Sequence, residues 1–139
     1  MAKTVLNFDY KLEFVLVAIG CHLKDYRIAG EINKLLIIEL AKQDDYILSL
    51  KKDEKDKSFS KYHFEDEDNQ WEYYLLSNKS NNGFLIPELK QIDYLLQIHG
   101  NLNFAEAEQI VKEIKTIPII NVAYLVDVDK LKSRDNLIF

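Results

Sequence analysis

Apolar residues follow two kinds of pattern along this chain. Phe14-Val15-Leu16-Val17-Ala18-Ile19 is apolar at every position, as a strand covered on both faces requires, and predicts a central strand. After Gly20 the spacing changes: Ile28, Ile32, Leu35, Leu36 and Leu40 recur at helical intervals, with Asp25 placed to cap or charge the helix N-terminus. This predicts a helix from about Asp25 to Gln43. Ile37 and Ile38 widen its apolar surface beyond one stripe, so a second element or a second subunit is expected to cover it.

The middle of the chain alternates as antiparallel strands do: Tyr46, Leu48 and Leu50, then Tyr62 and Phe64, then Trp71, Tyr73 and Leu75. Two charged stretches, Lys51 to Lys57 and Glu65 to Asn69, suit exposed loop tips, and Ser77 to Gly83 is the clearest turn signal. Farther on, Ile92, Tyr94, Leu96 and Ile98 share one face of a strand and Asp93, Leu95, Gln97 and His99 the other, the pattern of a half-buried strand. Phe104, Ala107, Ile110, Val111, Ile114 and Ile117 then recur at helical spacing up to Pro118, and Asn103 with Glu106 forms a capping box. Val122, Tyr124, Val126 and Val128 alternate as a last strand, and the apolar Leu137-Ile138-Phe139 is expected to lie on the body. Together these elements predict one α+β domain over residues 1–139: a mostly antiparallel sheet of five or six strands with two helices packed on it, with a split β-α-β, ferredoxin-like relative as one form of it.

Composition narrows the role. At 139 residues, 47% hydrophobic and 29% charged, the chain can bury a core and is not a disordered protein. Its formal net charge of -5 works against non-specific binding of a polyanion, so a nucleic-acid coat is disfavoured. The longest apolar run is far shorter than a membrane span, and residues 1–10 lack the apolar core of a secretory signal. With a single cysteine, Cys21, these features give the expectation of a cytoplasmic protein without disulfides.

Ile86-Pro87-Glu88-Leu89-Lys90-Gln91-Ile92-Asp93-Tyr94 resembles the signature of the IPExxxVDY family of small Bacteroidota proteins, with Ile92 where the signature has Val. Lys24-Asp25-Tyr26-Arg27, Ile32-Asn33 and Leu137-Ile138-Phe139 resemble further recurrent stretches of that family. The resemblance carries no catalytic residue with it. The motif reads in two ways. Pro87 suits a structural turn; alternatively Glu88, Asp93 and Tyr94, with Asp25 and Arg27, form a polar surface that a partner recognises.

Catalytic patterns are scarce. Cys21 and His22 point to opposite faces of a continuing strand, so they do not form a nucleophile and base. His22, His63 and His99 lack metal-ligand spacing, and Glu65 to Asp68 lacks the glycine and alternate ligands of a calcium loop. Asp127 and Asp129 share a strand face, where they either hold a metal or mark the end of the strand. No phosphate-binding, dinucleotide, esterase or zinc-protease motif occurs, and no cofactor is expected. Tyr62, Phe64, Trp71, Tyr73 and Tyr74 offer either core packing or a base-stacking platform, the latter opposed by the acidic loop beside them. The expected function is therefore a non-catalytic interaction module working through a protein partner or as a homodimer. The alternatives are an RNA- or ribosome-associated factor, marked by an aromatic, basic sheet face, and a small-molecule-binding enzyme, marked by a deep pocket gathering His22, His99 or the Asp127 and Asp129 pair.

Overall fold

The computed structural model describes residues 14–49 and 55–139. The expectations resting on residues 1–10, on Leu50 and on Lys51 to Glu54 lie outside the described residues. In chain order the elements are β1 (Phe14–Cys21), α1 (Asp25–Leu36), β2 (Ala41–Lys42), β3 (Tyr46–Leu48), β4 (Lys57–Phe59), β5 (Lys61–Asp66), β6 (Trp71–Ser77), β7 (Lys79–Ser80), β8 (Gly83–Phe84), β9 (Tyr94–His99), α2 (Phe104–Lys115) and β10 (Ile120–Val126). Three short 3-10 turns cover Pro87–Leu89, Val128–Lys130 and Arg134–Leu137.

Six strands form one sheet in the order β10-β1-β9-β6-β5-β2, every neighbouring pair antiparallel. Because β9 and β10 both run against β1, they run the same way with β1 between them, and α2 joins them: a split β-α-β. β3 pairs with β4, and β7 with β8, as small hairpins outside the main sheet. This is an α+β architecture.

Both faces of the sheet are covered, which is why β1 is apolar throughout. Val17 and Ile19 meet Ile28 and Ile32 of α1 and Ile110 and Ile114 of α2 on one face. Leu16 and Ala18 meet Phe59, Leu85, Ile86 and Leu137 on the other, so the C-terminal segment does lie on the body. Complete burial of Ile28 and of Ile32 contributes on the order of 2–3 kcal/mol each. The second face is covered by turns and hairpins, which leave more backbone groups needing side-chain partners.

Several expectations change. The first helix ends at Leu36, not near Gln43, because Ile37 turns into the left-handed region at φ 57° and ψ 54°. Asn33 holds that turn, accepting the Leu40 N–H at 2.8 Å and donating to the Leu40 carbonyl at 3.3 Å. Ile38 and Leu40 then reach the core from the returning chain, while Ile37 is 89% exposed. The broad apolar helix face read from Ile37 and Ile38 is therefore not formed by the helix. β9 is buried on both faces rather than half-buried, since Leu95 and Gln97 are fully enclosed by the second layer. Ile92 precedes this strand and packs on that second layer, away from Tyr94. Val128 lies in a 3-10 turn, so the last strand stops at Val126. Lys57 belongs to β4, a strand absent from the expectation. The capping box is present in full, with the Glu106 N–H donating to Asn103 Oδ1 at 2.7 Å and the Asn103 N–H to Glu106 Oε1 at 3.0 Å.

Candidate functional site

The motif segment leaves the β7–β8 hairpin and returns to the sheet as β9. Pro87 starts its 3-10 turn, where its fixed φ fits and its missing N–H costs nothing. What fixes the turn is Asn78, fully buried beneath it. Its Nδ2 donates to the carbonyls of Leu89 at 2.8 Å and Ile92 at 3.0 Å, and its Oδ1 accepts the Ile86 N–H at 2.8 Å. One side chain thus satisfies three backbone groups of the motif, which an apolar cover would have left unpaired.

The motif residues are tied in from the other side as well. Asp93 accepts the Cys21 N–H through Oδ2 at 2.9 Å, where the register of β1 against β10 shifts, and its Oδ1 meets Lys79 Nζ at 2.8 Å. The Tyr94 hydroxyl donates to the Leu23 carbonyl at 2.6 Å, and burial, with the nearby Cys21, Asp25 and Asp93, pushes its pKa far up. Glu88 is exposed, yet one of its oxygens accepts the Ser133 N–H at 2.8 Å. Burial alone would raise the Glu88 carboxyl; hydrogen bonds from Ser133 and the Lys132 amide, together with its own amide, bring it below the ordinary value.

The five residues read as a partner surface occupy three places. Asp93 and Tyr94 line a shallow cleft of about 240 Å³ with Cys21, His22 and Lys79. Glu88 lines a separate cleft of about 430 Å³ formed by Pro87 to Ile92 and Tyr124 of β10. Asp25 and Arg27 lie in the first turn of α1, where Asp25 Oδ2 stands 3.7 Å from Lys42 Nζ and Arg27 is exposed. The motif and β10 are thus adjacent at Glu88 and Tyr124.

β10 is one edge of the sheet. Among the described residues it pairs only with β1, leaving its outer backbone groups open over Ile120–Val126. It carries no charge and no proline, and Val122 and Tyr124 are 41% and 39% exposed, with Ile119 just before it at 46%. Val122 and Tyr124 alternate as expected of the last strand and lie on the sheet face away from the helices, where the second layer leaves them exposed.

The catalytic candidates stay apart. Cys21 is buried, with its thiol pushed up by that burial, and the adjacent His22 is exposed. A polar cluster that sequence spacing did not reveal lies across β5, β6 and β9. His63 Nε2 stands 2.6 Å from Glu72 Oε2, the Tyr74 hydroxyl donates to the same oxygen at 3.2 Å, and His99 Nε2 stands 2.6 Å from Gln97 Oε1. Gln97 Nε2 donates to the Leu137 carbonyl, so its Oε1 is the acceptor and His99 the donor. Burial lowers the His99 pKa, only partly offset by Glu72. The cluster anchors the C-terminal segment. Tyr62 and Tyr73 are buried beneath the helices, each pushed up to about 12 by burial, while Tyr74 sits beside Glu72. The Asp127 and Asp129 pair lines a cleft of about 500 Å³, without any histidine. Among the described residues no group of three or more His, Cys, Asp or Glu could hold a metal ion, and no helix is long and apolar enough to cross a membrane.

No family model and no curated protein matches this chain.

Proposed function

We propose that this chain is a cytoplasmic, non-catalytic interaction module, a member of the IPExxxVDY family, that engages protein through the open edge of its sheet. The observation that carries this reading is β10: seven uncharged residues at an edge, with Val122 and Tyr124 partly exposed and the Glu88 turn alongside. An uncharged strand whose outer backbone groups are open among the described residues is a ready template for pairing, and chains that must avoid pairing shorten such edges or place charges on them. The motif has a double role in this reading. Asp93 and Tyr94 hold the turn in place, and Glu88 shows the carboxylate that borders the edge. The separation of His22, His99 and the Asp127 and Asp129 pair into different clefts, and carboxylates beside the sheet aromatics, favour it over the enzyme and RNA readings.

The test is capture from host lysate with tagged wild-type chain and a Val122→Lys/Tyr124→Lys variant, half of each sample treated with ribonuclease. The reading predicts protein recovered with the wild type, the chain itself included, that withstands ribonuclease and is lost with the variant. Companions lost with RNA and indifferent to the two lysines would overturn it.

A further inference from the structure

The open edge carries its own complement. We infer that β10 pairs antiparallel with β10 of a second copy about a two-fold axis at Ala123, joining two six-stranded sheets into one of twelve strands. This rests on the interaction-module reading and names the partner at that edge.

Three features of the strand fit a second copy. Antiparallel pairing of identical strands closes on itself, so one edge supplies both halves and nothing further polymerises. Centring on Ala123 sets Val122 opposite Tyr124 of the second copy, twice per dimer, within the regular part of the strand on the C-terminal side of the bulge at Asn121, where the register against β1 shifts. The two most exposed apolar residues of the strand then cover each other as β-branched and aromatic cross-strand pairs. Charge agrees at the ends. Exposed Lys115 closes α2 just ahead of β10, and exposed Asp127 follows it, so antiparallel pairing brings the lysine end of one copy towards the aspartate end of the other. Within the strand there is no charge to be set against its like.

Sedimentation equilibrium of the purified full chain over a range of concentrations tests the association, and mixed-variant disulfide trapping tests the register. Expected is a reversible monomer–dimer equilibrium whose dissociation constant rises at least ~30-fold in the Val122→Lys/Tyr124→Lys variant, with an unchanged far-ultraviolet spectrum. Val122→Cys mixed with Tyr124→Cys should oxidise to a cross-linked dimer in higher yield than either variant alone; Cys21 is buried and stays silent. A wild type that remains monomeric up to roughly 1 mM, or a dimer unaffected by the two lysines, would overturn the self-pairing. Should the lysines still abolish ribonuclease-resistant capture of a different protein, the edge is an interface with another occupant and only the inference fails. Should they change neither, the interaction-module reading fails with it.

Discussion

The two edges of the sheet are finished in opposite ways. At β2 only Ala41 and Lys42 pair with β5, and Lys42 is drawn down by Asp45 at 3.1 Å and Asp25 at 3.7 Å. Asp45 in turn accepts the Ser58 hydroxyl of β4 at 2.8 Å, tying the neighbouring hairpin across the end of the sheet. A short, charged, tied strand offers little to a passing chain. At β10 the strand is seven residues long and uncharged, and its outer side is open among the described residues. The same fold contains the means to close an edge and applies it on one side, which is the physical ground for assigning contact to the other.

The largest way to break this contrast is at the turn beside the open edge. Asn78→Ala leaves three backbone groups of the motif without partners and should cost about 4 kcal/mol, read as a lowered urea midpoint; a loss below about 1 kcal/mol would show that Asn78 does not hold the turn. Asp93→Ala frees the Cys21 N–H and Lys79 and should cost about 2 kcal/mol, more than Glu88→Ala, whose single amide contact is at the surface. Comparing the two variants in urea separates the structural part of the motif from the part left for contact.

Gly20→Ala acts on the open edge directly. A Cβ there would stand 2.7 Å from Val122 Cγ1, so Val122 must move. Stability should fall by about 1 kcal/mol and self-association should weaken with it, checked by thermal unfolding and sedimentation of the same sample. On the closed-edge side, Ile37→Gly should stabilise by about 1 kcal/mol, because a β-branched, exposed residue at φ 57° is replaced by one that takes that conformation freely.

The smallest effect is one of pH at the closed edge. The Ser58 hydroxyl, then Lys42, hold the Asp45 carboxyl below its ordinary value of 3.8. A carboxyl lowered by folding contributes stability that is present above its unfolded pKa and lost as pH falls through the lower folded value. Asp45→Asn should therefore flatten the acid limb of the stability curve below about pH 4 without changing self-association, as urea unfolding from pH 2 to 6 would show.

Much of this fold was legible in the sequence where a local rule and the tertiary structure agree. The unbroken run Phe14 to Ile19 did become a strand covered on both sides, and Asn103 with Glu106 did cap a helix. The errors sit where distant contacts overrule the local pattern. Ile37 stops α1 in a conformation usually given to glycine, supported by Asn33 bonding to Leu40, so an apolar run that continues past the turn looked like more helix. Gln97 reads as a surface residue, yet it is fully buried and bonded to the Leu137 carbonyl forty residues away. Asn78 stood inside the strongest turn signal of the chain; only the folded turn shows that it bonds Ile86, Leu89 and Ile92. The open edge was hidden for the same reason, because strand order is set by pairing between segments a hundred residues apart.

Hydrogen exchange at the two edges, followed in dilute and in concentrated protein, tests the central claim most directly. The account predicts that amides within Ile120–Val126 gain protection as concentration rises, while Ala41 and Lys42 exchange alike in both samples. Exchange in β10 that is independent of concentration, in a chain that sediments as a monomer, would contradict it.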